Sequence, residues 1–152
     1  MTAFDYEELQ KKISAGLNTR LREFRKIITD TSDLFSALGM ETSVWIPEKI
    51  YTKNIGGIIA ESHIGYAKIE GKWGLAIRTV ERDQASSMFI RNRVYSIESC
   101  ENIEMAVNGL SRTEELLLAI NAVADNQIAM LKSVSTAEDM PGKIKKQKKA
   151  ST

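Results

Sequence analysis

Glu61, His63 and Arg78 are the residues whose types and spacing most resemble a chemical site. Glu61 and His63 are two apart and share a strand face, and a tight turn at Glu70-Gly71 brings Arg78 opposite His63. A carboxylate, an imidazole and a guanidinium above Gly65, Ala67, Gly74 and Ala76 form a grip for a small anion, with the small side chains leaving room. The plainer reading is a solvated polar ladder near a sheet end, or a smooth floor for a helix. Cys100 and His63 are the chain's one thiol and one imidazole. A Cys–His nucleophile would need them to meet, and nothing in their spacing demands it, so a buried, inert thiol is expected. One His cannot complete a two-His zinc site, and Gly56-Gly57 lacks the Lys-Ser/Thr and the helix of a phosphate loop. No catalytic residue, metal or cofactor is therefore assigned, and the chain reads as leaning away from catalysis.

Two further residue sets suit binding. Phe89, Arg91, Arg93 and Tyr95 alternate, so one strand face is expected to interleave aromatic rings with guanidinium groups, as in a platform for nucleic acid. Residues 140–152, MPGKIKKQKKAST, add five Lys and no acid, including Lys145, Lys146, Lys148 and Lys149. Such a segment has too little apolar content to offset its ordering entropy and reads as a disordered basic tail, an arm for a polyanion or a solubilising end. Against the nucleic-acid reading, the net charge of +1 leaves residues 1–139 at −4, and 99–139 hold seven acids against Arg112 and Lys132. Arg on an edge strand also guards against edge pairing. The other set, Leu17, Leu21, Phe24 and Ile28, belongs to a long apolar stripe that one small sheet does not cover, and such an excess points to a dimer or partner interface. The leading expectation is a non-catalytic protein–protein interaction module (adaptor, regulator or inhibitor), homodimeric through its N-terminal helix in the simplest form. The alternative is a nucleic-acid-associated protein using the Arg/aromatic strand and the Lys tail.

The elements that position these sets follow from periodicity. Apolar residues from Phe4 to Leu38 recur at steps of three and four, a helix stopped by Gly39. Its weak spot is Thr29–Asp33, whose side chains compete for backbone bonds. Unbroken, 4–38 would be a rod of about 52 Å against a body about 40 Å across, so it either breaks there or overhangs. Ser43–Thr52 is β-rich but interrupted by Pro47, and Lys53–Gly57 reads as a loop. The clearest unit is a β-hairpin over 60–81, pairing Ile69 with Lys72 across Glu70-Gly71. This register puts Ile64, Tyr66, Leu75 and Ile77 on one face and the small residues on the other. A last strand covers roughly Ser87–Ile97. Helix returns near Ser99 and breaks at Gly109; Ser111-Arg112-Thr113-Glu114 reads as a capping box for a final helix carrying Leu116, Ile120, Val123, Ile128, Leu131 and Val134. The five residues GKWGL, Gly71–Leu75, resemble the strand signature of WG-type β-repeat proteins, which carry many copies where this chain has one. Nothing is carried over from it.

The expectation is thus an α+β domain over 1–139: a long N-terminal helix, a three- or four-stranded antiparallel sheet and two C-terminal helices, then the tail. At 152 residues, 43% hydrophobic and 27% charged, the chain is long enough for one real core. There is no run of 18 apolar residues, and MTAFDYEELQ has neither a basic start nor an apolar stretch, so no membrane span or secretory leader is expected. A single Cys suits a reducing, cytoplasmic setting.

Overall fold

The structure, a computed structural model, describes the backbone of residues 3–150 and the side chains of residues 7–134. The Lys-rich tail, with Lys145, Lys146, Lys148 and Lys149, lies outside the described side chains. The order is α1 (Ala3–Ser36), β1 (Val44–Trp45), β2 (Tyr51–Ile55), β3 (Ile58–Ile69), β4 (Lys72–Asp83), β5 (Phe89–Ser96), a single 3-10 turn (Ile97–Ser99), α2 (Ile103–Leu110) and α3 (Thr113–Ala150). This is the expected α+β arrangement, except that α3 continues to Ala150 through the stretch expected to be a disordered tail, with one antiparallel sheet in the order β1-β3-β4-β5 and β2 also paired to β3.

The central hairpin has the register read from its turn. Ile69 pairs with Lys72, Tyr66 with Leu75, Ile64 with Ile77 and His63 with Arg78. Glu70 and Gly71 both take positive φ, 50° and 81°, the combination that matches a two-residue turn to the twist of its strands. The sheet has five strands rather than three or four because Pro47, with no N–H to give, divides the first β-rich stretch into β1 and β2. Lys53–Gly57 is also not a loop: Lys53, Asn54 and Ile55 complete β2, and Gly56-Gly57 alone turns the chain into β3.

One sheet face carries the core. Ile64, Tyr66, Leu75 and Ile77 are fully buried with Ile97, Leu116 and Phe35, and Ile28, Val44, Ile46, Ile50, Met105 and Ile120 complete the cluster. α2 ends at Leu110, one residue beyond the expected break at Gly109. Gly109 lies inside that helix, 3.2 Å from Ile64 Cδ1 for any Cβ placed there, and its bareness lets α2 approach the sheet. Asn102 caps α2 by accepting from Met105 N at 3.0 Å. At the next junction the expected capping box is replaced by back-bonding. Ser111 Oγ donates to Asn108 O at 2.6 Å and Thr113 Oγ1 to Leu110 O at 2.8 Å, so both hydroxyls satisfy the end of α2. Arg112 reaches Glu48 and Glu115, tying the start of α3 to the β1–β2 connection.

α1 runs unbroken through Thr29–Asp33. Ile28 and Phe35, two turns apart, are both buried in the core, and docking on either side of the polar run outweighs its local preference for caps.

Candidate functional site

Continuity gives α1 an overhang. Every side chain from Glu7 to Arg20 is exposed, a length of about 21 Å at 1.5 Å per residue. Within it Leu9, Ile13 and Leu17, four residues apart and on one face, are 45%, 61% and 56% exposed. Of the interface residues expected from sequence, only Leu17 is free. Leu21 is half-buried, Phe24 packs on the core cluster, and Ile28 at 7% exposure belongs to the monomer's own core. The apolar stripe is thus divided: its C-terminal half is spent inside the chain, and the unpartnered half lies further toward the N-terminus. Helix length pointed to an overhang, but periodicity alone does not say at which end of the helix the body stops. α3 also outruns the body. Gln127 bonds to Thr42, and from Ile128 to Val134 every side chain is exposed.

The Glu61–His63–Arg78 set is brought together but not left open. Glu61 is held by Lys49 at 3.2 Å and Arg82 at 3.0 Å. His63 Nδ1–H donates to Ile46 O at 3.2 Å. The small residues beneath do not leave room for an anion. Trp45 pairs with Gly65, its indole occupies the place a Gly65 side chain would take, and the Arg78 guanidinium stacks on that ring at 4.5 Å. The expected cleft is filled from within. Cys100 lies half-buried with Sγ 3.4 Å from Asn102 O, and burial pushes its thiol above the ordinary range, which suits the inert reading.

The Arg/aromatic strand is split by a β-bulge. Arg91 pairs with Glu81, but Phe89 pairs with Arg82, so Ile90 is the extra residue and Phe89 stands on the face opposite Arg91, Arg93 and Tyr95. Strict alternation cannot foresee a bulge, and the four-residue stacking face is not assembled. Arg91 is engaged with Glu81 through bonds of 3.2 and 2.9 Å, which hold that carboxyl below the usual carboxylate range. Tyr95 donates to Met105 Sδ at 3.2 Å, and the Arg93 guanidinium lies 5.9 Å from its ring.

On the core side of the sheet, beyond the helices, a groove of about 450 Å³ opens between β2 and β5. Two rows of paired residues cross its floor. One runs Lys53, Ala60, Glu81, Arg91; the other runs Tyr51, Ser62, Thr79, Arg93. Ala60, Ser62 and Thr79 make the centre small except at Glu81, and Tyr51, Lys53, Arg91 and Arg93 stand at the edges. Ser62 and Thr79 hydrogen-bond each other at 2.8 Å, and Asn102 and Met105 of α2 close one end. Sequence reading missed this groove because it placed Lys53 in a loop, off the alternation that aims Tyr51, Lys53 and Ile55 to one side.

No family model matches the chain, and neither a curated protein nor a solved structure matches it. Among the described residues no group of His, Cys, Asp and Glu is placed to hold a metal, and no helix is long and apolar enough to cross a membrane.

Proposed function

We propose that this chain is a non-catalytic interaction module that binds a second protein chain through the projecting half of α1, a second copy of itself being the simplest partner. The observation that carries the reading is the exposed stripe Leu9, Ile13 and Leu17 on a helix that leaves the body without touching it. Three large aliphatic side chains in a row on an isolated helix lose hydration cost only when another surface covers them. Glu7 and Glu8 precede the stripe, Lys11 and Lys12 stand beside Ile13, and Arg20, already paired with Glu23 at 3.2 Å, and Arg22 follow it. Two copies crossing antiparallel would cover each stripe with the same stripe, an isologous contact of the kind a two-fold dimer requires.

The test is the oligomeric state of the chain and of the double variant Ile13→Asp/Leu17→Asp. Light-scattering chromatography is expected to give twice the chain mass of 17.0 kDa for the wild type and a single chain mass for the variant. Both should keep the same circular dichroism, because neither side chain packs on its own body. A wild type that remains monomeric at about 50 µM and retains no other protein, or a variant that still dimerises, overturns the reading.

A further inference from the structure

We infer that the groove between β2 and β5 binds an organic anion with an apolar body, its oxyanion head on Arg93 and its body lying toward Ile58. This goes beyond the helix-mediated association and rests on a different part of the molecule.

Charge decides the sign of the ligand. The groove holds Lys53, Arg91 and Arg93 against the single carboxylate of Glu81, and Glu81 is already taken by Arg91. Among the described residues Lys53 and Arg93 make no ion pair, although Arg93 also feels the Glu81 carboxylate and the Tyr95 ring, and the lining as a whole carries an excess of two positive charges. Lys53 and Arg93 stand on its two outer strands, three strand spacings or about 14 Å apart across the sheet and offset by two residues along it. The surroundings decide the rest of the ligand. Ile55, Ile58, Ala60 and Met105 offer apolar wall and floor, whereas the two floor hydroxyls already bond each other. An inorganic ion would satisfy Arg93 and leave this surface wet, and an uncharged apolar molecule would leave the cations without use. A polynucleotide would need a row of rings, and Tyr51 is the one ring lining the groove. The volume lies within the range of small-molecule sites, which combine mostly apolar lining with a few placed polar groups.

Decanoate is the probe, with decanol (same body, no charge) and inorganic phosphate (charge, no body) as controls. The titration is followed by amide chemical shifts on the Ile13→Asp/Leu17→Asp background, so that binding to the α1 stripe does not intervene. Saturable decanoate binding with shifts centred on Ala60, Ser62 and Thr79 is expected, with decanol and phosphate each weaker by about tenfold or more. Arg93→Gln and Ile58→Asp, both at exposed positions that leave the core intact, should each weaken decanoate by a similar factor. Decanoate affinity unchanged by both variants, shifts located elsewhere, or no saturable binding would overturn the assignment. Phosphate binding as tightly as decanoate would show a bare anion site and overturn it too. None of these outcomes bears on whether two chains associate through α1.

Discussion

Trp45 and Gly65 form one contact seen from two sides. The indole lies where a Gly65 side chain would be, and the Arg78 guanidinium lies over the same ring at 4.5 Å. Gly65→Ala must displace the ring, and overpacking of this kind costs about 1–3 kcal/mol. Trp45→Ala in the same chain should recover much of that loss, which a double-mutant cycle in urea measures directly. Burial of ionisable groups gives a second residue-scale expectation. Cys100, Tyr95 and Tyr66 all have their acidity suppressed, chiefly by burial, so the fold holds them protonated to higher pH than the unfolded chain does. Their contribution to stability is therefore complete at neutral pH and is lost as the pH climbs through and beyond the ordinary thiol and phenol ranges, above pH about 9. Urea midpoints should fall there, and Cys100→Ala should blunt the earliest part of the fall. Native Cys100 should also react with iodoacetamide more slowly than free cysteine at pH 8, whereas equal rates would contradict its burial.

At the scale of elements, the β3–β4 hairpin shows what local sequence determines. Its two-residue turn needs left-handed backbone at Glu70 and Gly71, and once that is fixed every cross-strand pair follows by counting. Gly71→Val, at φ 81°, should cost about 1–2 kcal/mol, read as a lower urea midpoint with an unchanged slope. The same counting failed on β5, because the Glu81/Arg82 irregularity inserts one residue and reverses the side on which Phe89 stands. It failed at Lys53–Gly57 for a different reason: Lys and Asn are poor strand formers, but pairing with Ala60 and Ile59 overrides their preference. Helix continuity through Thr29–Asp33 was likewise decided by burial of Ile28 and Phe35 rather than by the run itself. Turn chemistry and face alternation were legible from sequence, whereas contacts made far along the chain were not. The candidate surfaces divide on the same line. The apolar stripe of the first helix could be read, but which half of it remained free depended on the body it packs against.

For the whole molecule, α1 and α3 both extend past the layer that anchors them, and they leave it at different places. α1 departs before Leu21, and α3 departs after Gln127 beside Thr42, just beyond the end of α1. Removing residues 1–18 should therefore leave the body folded, its melting temperature at low micromolar concentration within about 3 °C of the full chain, while abolishing association. A large loss of stability at every concentration would mean that the overhang docks on its own body. The two tryptophans sit at distinct stations of this architecture. Trp73 stacks on Tyr66 at 5.5 Å near the end of α1, and Trp45 lies on the opposite side of the sheet beneath a guanidinium. The molecule thus contains two separate optical reporters: excitation of Tyr66 should drain into Trp73, while Trp45 answers to the state of Arg78. Trp45→Phe would leave a single emitter watching the helical layer and Trp73→Phe one watching the reverse side, so that a partner approaching from either direction would announce its side by the colour it changes.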